Sequence, residues 1–231
     1  VKSRSGAYNH VLFDSIRGIY NYLISNLTNA EGSSSDTLQA FNSNGFTCGT
    51  NQGMNENAST YVAWQWQAGQ GTTSSNTNGS ITSTTSVNAT AGFSIVTYTG
   101  NGTSGATIGH GLGVAPKMII VKNRTNTVAG NGNWPVYHTS IGATNFVSLN
   151  LTDASAASAT RWNNTSPTSS VFTVGNTGTV NDSGFNYVAY CFAEIAGFSK
   201  FGSYTGNGSA DGPFVYLGFR PKYVMVKRTD A

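Results

Sequence analysis

The chain has 231 residues, which is enough for one large domain or two small domains that each bury a core. Charged residues make up only 9% of it and aromatic residues reach 12%, a balance that favours packed β structure over disorder. The twelve Lys and Arg residues are scattered and no apolar run approaches the about 20 residues of a membrane-spanning helix, so we expect neither nucleic-acid binding nor membrane insertion.

The N-terminal region carries strand signals and one ambiguous segment. FDSIRGIYNYLISN, residues 13–26, fits either a short helix or two strands around a Gly turn. The hairpin is favoured because its aligned counterpart, YHTSIGATNFVSLNLT, contains two strand signals around a Gly turn. TYVAWQW, residues 60–66, predicts a half-buried strand that places three apolar residues on one face, namely Val62, Trp64 and Trp66.

Residues 69–91 are rich in Gly, Ser, Thr and Asn. A structureless loop of that length inside a domain is uncommon, so the segment predicts either a connector between units or an added β-arm. Its SITSTTSVNAT portion alternates as a polar strand does.

The following region contains dense strand signals separated by clusters of Gly, Asn, Pro and Ser. No apolar pattern of helical period and length interrupts them, which favours an antiparallel all-β domain. KMIIVK is the nearest to a strand buried on both faces. The predicted strands are FSIVTYT, KMIIVKN, WPVYHTS, NFVSLNL, SVFTV and NYVAYCFAEI.

The sequence repeats itself. Tyr98 and Tyr204, which open the two Tyr-Thr-Gly-Asn-Gly motifs, lie 106 positions apart, so the two copies differ by a small insertion and deletion. Earlier segments are copied too: VKSR at 1–4 matches VKNR, GFTCG at 45–49 matches VFTVG, and TYVAWQW matches NYVAYCF. Three further pairs lie 105 positions apart, namely Gly92 and Gly197, Pro116 and Pro221, and Lys122 and Lys227.

A repeat of about 105 residues suits a small β-domain rather than a solenoid turn. We therefore predict tandem antiparallel β-sandwich domains of jelly-roll-like type. Their predicted organisation is the back portion of a first unit at 1–68 (the N-terminal segment), the connector or β-arm at 69–91, a complete unit at 92–196 (the central unit), and the front portion of a further unit at 197–231 (the C-terminal segment).

Catalytic chemistry is poorly supported by the sequence. Nine carboxylates and three histidines are spread along the chain without a nucleophile elbow, a metal-binding spacing or a cofactor motif. Gly-Asn-Gly at 100–102 and 206–208 is better explained by turns than by phosphate binding, because no helix follows either copy. Cys48 and Cys191 are predicted to be buried apolar thiols. We predict no catalytic residue, no metal site and no cofactor.

One weak candidate surface remains in the turn-rich parts of the central unit. Aromatic rings beside amide groups are a common way to hold sugars, because a ring covers the C–H face while polar groups bind hydroxyls. The alternative is that the rings pack in the core or between domains. The candidate glycan contacts are Trp134, Tyr137, Arg161, Trp162, Asn163 and Asn164.

Several long motifs carry a family resemblance: GATIGHGLGVAPKMIIVKNRT, YVAYCFAEIAGFSKFGSYTGNGSADGPFVY and FRPKYVMVKRTD, with the N-terminal VKSRS, LFDSIRG, GFTCG and YVAWQW. Together they resemble an uncharacterised tandem-repeat family in virion genes of marine bacteriophages. The resemblance implies a virion structural protein of a tail fibre, whisker or head appendage, located on the particle surface and in contact with other virion proteins. It supplies no catalytic residues.

These observations lead to an expected function and two rivals. We expect a non-enzymatic virion appendage protein that forms homo-oligomers and binds host-surface carbohydrate. The first rival is a ligand-free tube, cement or filament subunit whose incomplete units are completed by strands from neighbouring chains. The second is a glycan depolymerase, which needs paired carboxylates in a groove.

Overall fold

The computed structural model describes residues 1–125 and 130–230, and antiparallel strands dominate them, so the predicted all-β sandwich class is confirmed. The N-terminal elements are β1 (Lys2–Ser3), β2 (Val11–Leu12), β3 (Asn21–Ile24), β4 (Gly32–Ser33), β5 (Leu38–Asn42), β6 (Gly45–Cys48), α1 (Gln52–Asn55) and β7 (Tyr61–Val62). The later elements are β8 (Ser74–Asn76), β9 (Ser83–Asn88), β10 (Phe93–Thr99), β11 (Ala106–Gly109), β12 (Met118–Asn123), β13 (Pro135–His138), β14 (Asn145–Ser148), β15 (Ala156–Ala157), α2 (Ala159–Trp162), β16 (Val171–Val174) and β17 (Asn186–Phe192).

An eight-stranded sheet forms the centre of the molecule, in the order β15-β14-β13-β12-β17-β10-β9-β8. Strand β17 lies between β10 and β12, with Phe192 opposite both Phe93 and Met118. All six residues of β12 are buried, which confirms the prediction that KMIIVK is covered on both faces.

The two faces of this sheet bury two different clusters. Along β12, Ile119 and Val121 point to a first face covered by the β11–β16 pair, while Met118 and Ile120 point to a second face. The N-terminal segment covers the second face, where Leu23 of β3 is fully buried. Burial of each such side chain stabilises the fold by about 1.5–3 kcal/mol, so both faces of the sheet contribute.

The ambiguous segment at 13–26 forms a turn and the second strand of a hairpin, as predicted. β2 pairs with β3, and the turn between them is fixed by Asp14, whose Oδ1 accepts the backbone N–H groups of Ile16 and Arg17. Gly18 follows with φ +86°, a conformation that favours glycine. Asp14 and Gly18 enclose a single turn, in which the Gly18 N–H donates to the Asp14 carbonyl at 3.1 Å, and residues 13–26 contain no helix.

Within the N-terminal segment, β1 and β7 pair in the register of β12 and β17. Lys2 lies opposite Val62 as Lys122 lies opposite Val188. The sequence copies therefore also have equivalent strand pairing at this point.

Residues 69–91 contribute β8 and β9 to the eight-stranded sheet, which favours the added β-arm over a free connector. Their alternating polar residues lie on opposite faces: Ser83 and Thr85 are buried, and Thr84 is exposed. The Ser83 hydroxyl donates to the Gly109 carbonyl at 2.8 Å, so the buried polar side chain has a partner.

The C-terminal segment differs from its earlier copy. Residues 197–230 contain no paired strand, although their sequence matches β10 and β12. Several of its apolar side chains are exposed, including Phe214 at 89% and Tyr216 at 77%.

Candidate assembly interface

The three aromatic rings predicted to hold a ligand are buried. Trp134, Tyr137 and Trp162 are 0%, 4% and 1% exposed. Tyr137 and Trp162 meet edge to face on the first face of the sheet, with centroids 6.1 Å apart, whereas Trp134 packs on the second face. The prediction that these rings form an exposed platform is wrong and the packing alternative is correct, because Tyr137 and Trp162 belong to the first core cluster and Trp134 to the second.

The polar residues predicted beside these rings belong to the end of α2. The Arg161 guanidinium lies 3.5 Å from the ring centroid of Phe146. Asn163 has φ 49°, ends the helix in the left-handed region and accepts a hydrogen bond from the Ser104 hydroxyl at 3.0 Å. Asn164, with φ 51°, is exposed. Ligand binding by this set stays a prediction, and the six residues do not share one surface.

Lys122 joins the central unit to the N-terminal segment. It is fully buried, and its Nζ donates to the carbonyls of Thr28, at 3.0 Å, and Gly132. The ammonium also lies 5.6 Å from the ring centroid of Trp134, whose indole N–H donates to the Leu27 carbonyl at 3.0 Å. Burial lowers the pKa of Lys122 to about 8. The lysine and the tryptophan thus bind the backbone at the end of the β2–β3 hairpin.

Gly132 permits this close approach. A Cβ atom at that position would lie 2.0 Å from the Thr28 carbonyl oxygen, which is far inside van der Waals contact. Any larger residue must therefore separate the two parts of the molecule or distort the loop that carries Gly132.

A charged network lies beside Lys122 at the same interface. The buried Arg17 binds Asp14 through Nε and Glu31 through Nη1 at 2.8 Å, and the Tyr190 hydroxyl donates to Asp14 at 2.7 Å. Arg124 of the central unit binds Glu31 at 2.8 Å. Burial alone would lower the pKa of Arg17, but its tyrosine and carboxylate partners raise it overall. Burial opposes ionisation of Glu31, yet its two guanidinium partners lower its pKa.

One backbone hydrogen bond of this interface occurs a second time. The Glu31 N–H donates to the Arg124 carbonyl at 2.8 Å, and the Ser155 N–H donates to the Thr229 carbonyl at 2.9 Å. Ser155 lies 124 positions after Glu31, and Thr229 lies 105 positions after Arg124, so the two bonds join equivalent positions of the copies. The C-terminal segment therefore docks on the central unit as the central unit docks on the N-terminal segment.

The lysine contact is repeated as well. Lys227, the copy of Lys122, donates from Nζ to the Leu151 carbonyl at 2.8 Å. Leu151 lies 124 positions after Leu27 and is its copy. Lys227 therefore binds the carbonyl one residue before the copy of Thr28, the residue that Lys122 binds. The contacts are reciprocal, because the central unit supplies the lysine to one neighbour and the carbonyl to the other.

Two carboxylates and one histidine that could serve in catalysis have defined partners among the described residues. Asp14 and Glu31 are brought together, and both are ion-paired to Arg17. His110 is fully buried, with Nδ1 accepting from the Leu112 N–H and Nε2 within 3.2 Å of the Thr168 carbonyl. Over residues 1–125 and 130–230 no group of three or more His, Cys, Asp or Glu side chains is placed to hold a metal ion.

Two smaller predictions have clear outcomes. The Gly-Asn-Gly loop at 100–102 is a turn held by Asn181, whose side chain accepts from the Asn101 N–H at 2.9 Å and donates to the Thr103 and Gly175 carbonyls. Both cysteines are free; Cys191 is buried as predicted, whereas Cys48 is only partly buried. In the part of the chain that the structure covers, no helix has the length and apolarity to cross a bilayer.

Sequence reasoning missed the residues that join the units. The sequence predicts Lys122 as part of the KMIIVK strand, Trp134 as a glycan contact, and the segment that contains Arg17 as two strands around a Gly turn. One signal was present: a Val-Lys pair appears in all three copies, at residues 2, 122 and 227, although lysine seldom lies inside a buried strand.

Fold and interface together define an all-β protein in which repeated segments pack through reciprocal contacts. The chain belongs to the family described as "Domain of unknown function (DUF7483)", whose model matches residues 1–231. No curated protein and no solved structure matches the chain significantly.

Proposed function

We propose that this chain is a non-catalytic structural subunit of a bacteriophage virion, in a tail fibre or another surface appendage. The observation that carries the proposal is the reciprocal docking of repeated segments through Lys122 and Lys227. Lys122, Trp134 and Lys227 all donate to backbone carbonyls of another segment, so they serve to join segments.

The motif resemblance to marine phage virion repeats supports the location. The low fraction of charged residues, 9%, suits a subunit that contacts other protein surfaces within a particle. Homo-oligomerisation and contacts with other virion proteins belong to the same proposal.

Between the two virion functions considered from the sequence, the ligand-free subunit is favoured over the glycan adhesin. The three rings that would stack on sugars are at most 4% exposed, so they offer no face to a ligand. The depolymerase is disfavoured because Asp14 and Glu31, two carboxylates that the fold brings together, are both ion-paired to Arg17.

The test is the location of the chain in purified particles of the phage that encodes it. Mass spectrometry of gradient-purified virions and gold labelling with an antibody against the full chain should both detect it on a protruding appendage. A chain that is absent from such particles but abundant in the infected cell would overturn the proposal. A glycan array probed with the full chain should give no binding; binding that survives at micromolar protein would restore the adhesin.

A further inference from the structure

The C-terminal segment exposes side chains whose earlier copies form the core. The central unit buries Tyr98, Ile119 and Val121 on the first face of its sheet. Their copies are on the surface, and the exposed fractions are 4% against 52% for Tyr98 and Tyr204, 0% against 67% for Ile119 and Val224, and 0% against 61% for Val121 and Val226. The segment thus carries the apolar pattern of a buried strand without a covering partner.

The N-terminal segment also exposes an apolar side chain whose copy in the central unit is buried. Phe172 of β16 is 1% exposed, whereas its copy Phe46 in β6 is 37% exposed. A groove of about 440 Å³, lined in part by Tyr22 and Ile24 of β3, opens on the side of that strand opposite Leu23. Since Leu23 packs on the central unit, the groove corresponds to the side on which the central unit keeps its first-face core.

The strand β7 also has a free edge. Its copy β17 pairs on one side with β12 and on the other with β10. β7 pairs with β1, the copy of the end of β12, and no described residue takes the place of β10. Beyond β7 the chain continues with Trp64 and Trp66, each 47% exposed.

We propose that the free edge of residues 61–66 is a strand-accepting site and that its occupant is the segment 198–204 of the same chain. In this arrangement the N-terminal and C-terminal segments belong to one second unit that faces the central unit across an approximate twofold axis. The inference rests on the proposed structural function, because it names the segments from which the subunit is built.

Two observations select the chain's own segment. Tyr223 already lies against Trp64 and Trp66, with ring centroids 6.1 Å from each. Tyr223 and Trp66 are the copies of Met118 and Phe192, which are directly opposite partners in β12 and β17.

The reciprocal docking gives the second reason. Both the N-terminal and the C-terminal segments pack on the second face of the central sheet, through Leu23 and Phe201 respectively. If the C-terminal segment began a third unit in a linear stack, it would use a different face from the N-terminal segment. Sharing one face places both segments in a single partner unit.

Residues 1–4 and 226–229 are both copies of residues 121–124. Each copy makes one of the two contacts that Lys122 makes in the central unit. Lys122 pairs with β17 and also donates to the neighbouring segment. In the second unit, Lys2 lies opposite Val62, while Lys227 makes the contact with the neighbour. The two segments copy the same strand, so β1 takes the β12 side of β7 and leaves the β10 side for residues 198–204.

The central unit fixes the expected register. Thr97 lies opposite Val188 in β10 and β17, and their copies are Ser203, 106 positions later, and Val62, 126 positions earlier. Ser203→Cys and Val62→Cys together should therefore form a disulfide, because directly opposite residues of antiparallel strands have the required Cα separation of about 4.5–5.5 Å. A Cys48→Ser background removes the partly buried native thiol, and Cys191 stays buried.

The experiment oxidises the full-length double variant and measures its mass and its linked peptides. We expect a monomer that has lost two thiols and contains a peptide joining positions 62 and 203. Ser209→Cys with Val62→Cys is the matched control, since Ser209 lies past the turn and should stay unlinked. Absence of the 62–203 link under oxidation that links free cysteine would reject the site.

Mixing the two single-cysteine variants tests the competing occupant. We expect no heterodimer. A 62–203 heterodimer in the mixture would overturn the choice of the chain's own segment and assign the site to a second copy. Hydrogen exchange of the unmodified chain gives an independent readout, in which the amides of 198–204 should be protected as those of β10 are. If the chain is found in particles but the 62–203 link does not form in the double variant, the inference alone is rejected. If the link forms but the chain is absent from particles, the proposed function alone is rejected.

Discussion

Replacement of Lys122 by methionine tests the interface directly. The substitution keeps the length of the side chain but removes the donor to the Thr28 and Gly132 carbonyls and the cation over Trp134. Hydrogen bonds from a charged group contribute about 1.5–3 kcal/mol and unpaired buried carbonyls cost about 1–3 kcal/mol, while relief from burying a charge offsets part of this. We expect a net loss of about 2 kcal/mol in the free energy of unfolding at pH 7.

The pH dependence sharpens the prediction. The pKa of Lys122 is about 8 in the folded protein against 10.5 for an unperturbed lysine, so between these values the unfolded chain binds more protons. The free energy of unfolding of the parent should therefore rise with pH in this window, and the variant should lack that rise. The full shift corresponds to about 3 kcal/mol, of which the rise between pH 8 and pH 9.5 is about 2 kcal/mol.

Urea unfolding followed by tryptophan fluorescence at pH 7.0, 8.5 and 9.5 measures both effects. Cys191, whose pKa burial raises to about 12, acts in the opposite direction above about pH 9, but it is common to both proteins and cancels in their difference. Lys200→Met is the control, because that lysine is 44% exposed and bound to Glu194 on the surface; it should cost under about 1 kcal/mol at every pH. A Lys122→Met loss that is below about 0.5 kcal/mol, or that does not grow with pH, would refute the reasoning.

Three further substitutions probe the packing and the loops. Gly132→Ala should lower stability by about 1–3 kcal/mol in thermal unfolding because its Cβ meets the Thr28 carbonyl, whereas Gly45→Ala, with open space around it, should not; equal effects would contradict the contact. Asn181→Ala should cost about 2–3 kcal/mol by leaving buried loop groups unpaired, and a neutral result in urea unfolding would show that water replaces them. Burial lowers the pKa of His110, so the parent should lose stability as the pH falls below about 6.5; His110→Gln should flatten that acid limb, and an unchanged limb would assign it to other groups.

The strands of the central unit were predictable from local sequence. FSIVTYT matches β10 in full and NYVAYCF matches β17, because runs of β-branched and aromatic residues between turn signals seldom form anything else. The continuous burial of β12 followed from its unbroken apolar run. The repeat itself came from comparing the chain with itself and needed no structure.

What sequence could not supply is long-range pairing and exposure. Trp134 and Trp162 lie next to turn residues, which suggested exposure, but whether a ring is covered depends on segments up to about a hundred positions away in the chain. The indole of Trp134, for example, binds the Leu27 carbonyl, 107 positions earlier. Asp14 and Tyr190 are 176 positions apart and meet only because the N-terminal hairpin covers the second face of the sheet.

The repeat predicted equivalent strands, yet the C-terminal segment has no paired strand in the described structure. The same residue pattern gives a strand in β10, where β9 and β17 lie on both sides, and no strand at 198–204, where no partner strand is in place. Strand formation depends on a neighbour, and sequence identity between copies does not provide one. The boundaries at 68, 91 and 196 stay a prediction.

The outer strands of the eight-stranded sheet affect how the protein behaves at high concentration. β8 is a three-residue Ser-Ser-Asn strand and β15 is a two-residue Ala-Ala strand, so neither edge offers a long apolar template. Short polar edges of this kind resist edge-to-edge aggregation, the first step toward amyloid-like fibres. A protein with few charges has little electrostatic repulsion to keep its copies apart, and at its sheet edges this protection comes from the shortness and polarity of the strands.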